Sequence, residues 1–304
     1  MKWETPDYYL RHRDDLISDL GEALKLELLC LMVGAGASDE LELPPWHELV
    51  AYCCTNAPTP TESSDIDEKS SGDQLLLRMA TVRDLFRGDD DAYLDLVERG
   101  LYANWQNPKV TQAPDLMRAT AALVMGSVRG RINSIINFNF DSLLEWYLSL
   151  HGYVTQVIED VPRGLVNADV RIFHPHGYLP LQDSLGQRSP MILFDKETYE
   201  KRMADRADAW MDVFRFLLGT HVFLAVGLSG RDPMVSLVVA AAKYQRRADD
   251  PRPLGFWFYK RGSLGADYET DLRKKAVLVP CDSYEEISQT LFQVAQRAAG
   301  AVIV

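Results

Sequence analysis

The stretch "LELLCLMVGAGAS", residues 26–38, decides the fold. From Leu28 it runs apolar without interruption and then breaks into glycines. A run of this kind marks a strand buried on both faces, as in a parallel sheet, whereas alternation would mark a half-exposed strand. The glycine turn stands between that strand and the next helix, where backbone amides can approach a phosphate. The ordinary dinucleotide fingerprint needs a third glycine where Asp39 stands, so that motif is not met. Two readings stay open at this point: a phosphate-binding loop of another type, or a plain strand-to-helix turn.

Outward from this stretch, the pattern alternates. Residues 8–27 have the spacing of an amphipathic helix, and "WHELVAYCCTN" (46–56) resumes it. Residues 57–73 are rich in Pro, Ser and acids and read as a surface loop. Residues 74–130 look helical, with breaks near Gly88 and between Asn107 and Pro114. They carry no strand signal, which predicts a helical insertion over about 57–130. Strand signals follow at "RINSIINF" (131–138), "DVRIFHPHG" (169–177), "HVFLAVGLSG" (221–230), "LGFWFYK" (254–260) and "AVLVPCD" (276–282). Helical patterns separate or follow them at 141–152, 209–220, 232–247 and 283–300. The helix at 232 is expected to be capped by Asp232 with Pro233 at its first position. This order predicts an α/β fold: one doubly wound, Rossmann-like parallel sheet with helices on both faces. The expected organisation is a single domain over 1–304, with a core at about 28–56 and 131–304.

Composition bounds the function. The 304 residues are 47% hydrophobic and 25% charged, which is ordinary for a globular chain. A formal net charge of −12 argues against direct nucleic-acid binding through bulk electrostatics. The charged N-terminus is no signal peptide, and no apolar run reaches the length of a membrane helix. A soluble, cytoplasmic protein is expected. Cys30, Cys53, Cys54 and Cys281 form no C-x-x-C pair, so no zinc ribbon can be drawn and free buried thiols are expected.

Three further motifs carry polar groups at strand ends. In "NFNFD" (137–141), Asn139 and Asp141 lie past the carboxyl end of a strand, where ligands sit in open α/β sheets. Asp141 also reads as a cap of the next helix. In "FHPHGY" (173–178), extended-chain alternation puts His174 and His176 on one side. The H-x-H pair finds no further metal ligands at readable spacing. His176, before a glycine, reads as a general base, and His174 more as a structural histidine. In "AVGLSGRDP" (225–233), Gly227 and Ser229 form a second glycine turn. A serine-hydrolase elbow fails there, because Arg231 stands where glycine is needed.

The order GAGAS, P-x-W, NFD, HG, GLSGRDP resembles the sirtuin-like family over nearly the whole chain. It is most similar to the bacterial, zinc-less branch of NAD-consuming domains found in antiviral defence. The resemblance implies a set of roles. Gly34, Ala35, Gly36, Ala37 and Ser38 would hold the pyrophosphate and ribose of NAD. Trp46 matches the segment that follows, after Pro44 and Pro45. Asn139 would lie beside the nicotinamide ribose, with Asp141 in support, and His176 would be the catalytic base. Gly227 and Ser229 would bind the phosphate and adenosine ribose, and Asp282, beside Cys281, the adenine. The helical insertion would take the place of the sirtuin zinc module, so no zinc is implied and NAD is a substrate. The chain departs from the branch at Glu42, where glycine is usual. It departs from deacylating sirtuins in lacking two cysteine pairs and in carrying Pro45 and Trp46 where an arginine would stand.

The implied activity is an NAD glycohydrolase releasing nicotinamide and ADP-ribose, the NAD-depleting effector of an antiviral system. The alternatives are an NAD-dependent protein deacylase and a non-catalytic nucleotide-binding module. Such effectors are held silent, so the resemblance implies a homo-oligomer or a separate sensor: an Argonaute-like protein, an ATPase or a phage-derived trigger.

Overall fold

The computed structural model describes residues 3–38, 41–105, 113–126, 131–161, 164, 166–205, 208–229, 232, 234–236, 238–240, 249–264 and 266–300. Seven strands form one all-parallel sheet: β1 (Leu29–Val33), β2 (Ser134–Asn137), β3 (Thr155–Ile158), β4 (Val170–Phe173), β5 (Val222–Val226), β6 (Gly255–Lys260) and β7 (Val277–Cys281). Their spatial order is β3-β4-β2-β1-β5-β6-β7. The chain places β2, β3 and β4 on one side of β1 and then β5, β6 and β7 on the other. The direction of winding therefore reverses at β1, where open α/β sheets form their ligand crevice.

Burial on both faces explains the continuous apolar runs. All five residues of β1 and of β5 are buried. Successive side chains feed opposite cores. Leu29, Leu31 and Val33 join Ile135, Leu224 and Phe258 on one face. Cys30 and Met32 join Ile136, Phe173, Phe223 and Trp257 on the other.

The first face is covered by α2 (Arg13–Lys25), α3 (Trp46–Asn56) and α11 (Tyr284–Ala299). The α11 N-terminus is capped by Ser283, and Gly300 closes it in the left-handed conformation that glycine adopts without strain. The second face is covered by α9 (Ala209–Thr220), through Trp210, Phe214, Leu217 and Leu218, and by the helical residues 234–236 and 238–240. The helix expected over 232–247 lies partly outside the described residues, as does Pro233.

Between α3 and β2 stand three helices: α4 (Gly72–Asp84), α5 (Asp90–Leu101) and α6 (Asp115–Val124). A reciprocal capping box of Ser71 and Gln74 starts α4, and Asp89 caps α5. These helices bury apolar residues such as Met79, Val82, Val97 and Leu123 in the core, and ion pairs add to that anchoring. Arg83 of α4 reaches Asp195, which is only 1% exposed and caps α8 (Lys196–Ala204). Arg188 pairs with Asp91, Asp95 and Glu98 along α5. The expected break near Gly88 is present, and Asn107 lies outside the described residues.

Four details differ from the sequence reading. The helix expected over 8–27 is two helices, α1 (Pro6–Arg11) and α2, broken at His12. Strand β3, helix α8 and helix α10 (Ala266–Arg273) are present without having been expected. No helix among the described residues is long and apolar enough to cross a membrane.

Candidate functional site

Register brings the motifs together. Val33 is level with Asn137 on β2 and with Val226 on β5, and Ile136 is level with Phe173 on β4. The loops that follow β4, β2, β1 and β5 therefore leave four adjacent strands at the same edge.

The two glycine turns grip each other. Gly34 N–H donates to Val226 O at 3.0 Å, and Gly36 N–H donates to Gly227 O at 3.0 Å. A Cβ on Gly227 would stand 2.4 Å from Ala37 N, and one on Gly34 2.7 Å from Gly227 O. Gly227 also has φ +69°, in the left-handed region. Glycine is needed here for close approach of two backbones. The expectation that the Gly34 and Gly36 amides stand open to a phosphate is corrected: both are consumed between the turns. Ala35 and Ser229 form the exposed rim of the pair.

Behind this pair is a narrow cleft lined by Val33, Ala37, Ser38, Asn137, Asn139 and Asp141, together with Met117 and Thr120 of α6. Asn139 is 9% exposed, and its side-chain Nδ2 has no hydrogen-bond partner among the described residues. A buried amide N–H left unpaired costs stability unless a ligand or water completes it. Asp141 accepts from Leu143 N–H at 3.0 Å and from the Ser38 hydroxyl at 3.4 Å. The helix N-cap is Ser142, without a side-chain cap bond; Asp141, expected as the cap, instead closes a turn one residue earlier through Leu143 N–H, and its carboxylate borders the cleft. Burial pushes the Asp141 carboxyl up to about 6; Leu143 N–H pulls back, nearby Glu145 adds to the rise, and His174 and Ser38 oppose it.

His176 does not line this cleft; it stands behind the loop. Its Nδ1 is 3.0 Å from Phe138 O. A carbonyl only accepts, so Nδ1 carries a hydrogen. Nε2 is buried, is 3.2 Å from Asp232 Oδ2, and is not aligned for a hydrogen bond. Asp232 is held by the Tyr199 hydroxyl of α8 and by Met234 N–H. Burial raises Tyr199, with Asp232 as the next cause, so the phenol keeps its hydrogen and donates it. Sequence reasoning made Asp232 a helix cap; its contact with His176 was missed, as was Tyr199.

The other expected residues sit further out. Trp46 begins α3 and connects to the loop after β2 through an aromatic ladder. Its ring meets Phe194 at 5.7 Å, and Phe194 meets Phe140 at 5.2 Å. Asp282 lies at the end of β7, paired with Arg261 at 2.7 Å on the surface. Neither lines the cleft. Glu42, where the resemblance expects glycine, has φ 61°. Among the described residues no group of His, Cys, Asp and Glu is arranged to hold a metal.

No curated protein gives a significant match to the sequence. A solved structure from work on the mechanism and regulation of Sir2 enzymes aligns with 93% of this chain and 97% of its own, at 12% identity and a TM-score of 0.47. Residues 133–280, which run from β2 into β7 and carry three of the four loops, are similar to the SIR2-like domain family.

Proposed function

We propose that the cleft binds NAD and hydrolyses its bond to nicotinamide. One observation carries the reading. A buried asparagine amide with an unpaired donor, a carboxylate and a hydroxyl share a cleft at the winding reversal of the sheet, one loop away from the His176 imidazole. The similarity to the SIR2-like domain names the ligand class.

Breaking the bond between C1′ and nicotinamide builds positive charge on the ribose. A dry, preorganised pocket stabilises that charge without reorganising. Nicotinamide leaves as a neutral molecule with the bonding electron pair, so it needs little acid help. Water adds to C1′ and gives up a proton. Asn139 orients the ribose or that water by its free amide hydrogen. His176, which stands outside the cleft, takes the proton on Nε2 through a bridging water, beside Asp232. Asp141 and Ser38 hold ribose hydroxyls. With the Gly34 and Gly36 amides consumed, the pyrophosphate meets the rim formed by Ala35 and Ser229. Products are nicotinamide and ADP-ribose.

In the cell this chain acts as the NAD-depleting effector of a bacterial antiviral system, released by a separate sensor or by self-assembly. The helices α4 to α6 are the contact surface for that control, because α6 forms a wall of the cleft. The test is nicotinamide release from NAD with and without an acyl-lysine peptide. Release that ignores the peptide supports a hydrolase, and release that requires it makes the chain a deacylase.

A further inference from the structure

The loop that carries Asn139 is held from outside by a row of donors. Phe138, Asn139 and Phe140 present successive carbonyls. They accept from Nδ1 of His176 at 3.0 Å, Nδ1 of His174 at 3.0 Å and Leu179 N–H at 2.8 Å. The middle donor serves the residue whose side chain enters the cleft. His174 is completely buried, with its Nε2 2.7 Å from Oε1 of Glu145, which is itself completely buried on α7 (Leu143–Leu150). Asn139 O and the carboxylate both accept. The ring therefore carries hydrogen on Nδ1, and a further proton lies between Nε2 and Oε1.

Burying this pair is costly, and Glu145 Oε2 has no hydrogen-bond partner among the described residues. Apolar side chains of the same size would pack there without desolvating a charge. What they would not supply is a donor aimed at the Asn139 carbonyl. The Tyr178 ring, centred 4.6 Å from the imidazole, limits its tilt.

We propose that Glu145 and His174 are a positioning pair for Asn139. His174 fixes the backbone of Asn139 through Nδ1–H, and Glu145 fixes the tautomer and angle of the ring. Neither touches the ligand. The inference rests on reading the cleft as the site of NAD hydrolysis, where a displacement of about 1 Å costs on the order of 10²-fold in rate.

The test uses the full chain, the double variant Glu145→Leu/His174→Phe, and Glu145→Leu/His174→Asn, whose amide restores a donor where Nδ1 was. Amide hydrogen exchange of residues 137–141 and the kcat and KM for nicotinamide release are measured for each. In the Leu/Phe variant, exchange should rise about tenfold or more. Its kcat should fall on the order of 10²-fold with KM within about threefold. The Leu/Asn variant should recover most of both. Exchange and kcat both within about threefold of wild type in the Leu/Phe variant would overturn the proposal. Wild-type protein that neither binds NAD nor releases nicotinamide would instead defeat the hydrolase reading, while the exchange data still decide the positioning role. If the Leu/Phe variant does not fold, ¹⁵N NMR of the wild-type imidazole decides. Hydrogen on Nδ1 of His174 is expected, and a bare Nδ1 would refute the pair.

Discussion

Nε2 of His176 stands 3.2 Å from Oδ2 of Asp232, across from the Nδ1 that is committed to Phe138 O. A proton taken up by the ring therefore arrives beside a carboxylate. Asp232→Asn keeps an acceptor for Tyr199 and Met234 but removes the charge. Nicotinamide release should fall roughly ten- to hundredfold with folding intact. Unchanged turnover in this variant would separate Asp232 from the chemistry.

Gly227→Ala should be among the most damaging small substitutions. It forces a Cβ to 2.4 Å from Ala37 N at a backbone φ of +69°. The strain is expected to cost about 2–3 kcal/mol. Urea denaturation measures it, and a loss of less than about 0.5 kcal/mol would mean that the turns do not interlock as described. Gly36→Ala meets its nearest atom, Gly227 Cα, at 3.0 Å and should be milder.

Asp141 sets a pH dependence of stability. Glu145, His174, the Ser38 hydroxyl and Leu143 N–H all face its carboxyl, and the net result is a folded value of about 6 against an ordinary 3.8. The folded chain holds this proton more tightly than the unfolded chain. Its contribution to stability is thus fully present below about pH 3.8 and is lost as pH rises through about 6. Asp141→Asn keeps the acceptor for Leu143 and removes the buried charge. The variant should gain on the order of 3 kcal/mol relative to wild type between pH 4 and pH 8. A difference in stability that stays flat over that range would contradict the placement of Asp141.

Glu42→Gly should stabilise the chain. At φ 61° a side chain pays for a left-handed backbone that glycine adopts freely. The gain is up to about 1 kcal/mol, reduced by the greater freedom of glycine in the unfolded state. A lower melting temperature would show that the Glu42 side chain does more than occupy the turn.

The parallel sheet was legible because β1, β5 and β6 are unbroken apolar runs, which burial on both faces demands. Strand β3 escaped because it is the sheet edge. Its four residues alternate between half-buried and buried, with Gln156 among the buried ones. Helix α8 escaped because only Thr198 and Tyr199 are buried in it, leaving no apolar stripe to read. In the site, the local signals were readable: two glycine turns, a polar strand end and a histidine before glycine. The pairs that orient them were not. His176 with Asp232, His174 with Glu145, and the α6 wall at Met117 and Thr120 are contacts between distant segments, and only the strand register brings them together.

The central claim is tested by mixing the full chain with NAD and following nicotinamide and ADP-ribose by chromatography, beside Asn139→Ala and His176→Ala. The account predicts equal amounts of the two products from wild type, and rates lower by roughly 10² to 10⁴-fold in both variants. Release at the wild-type rate from Asn139→Ala, or a wild-type chain that neither binds NAD nor breaks it, would contradict it.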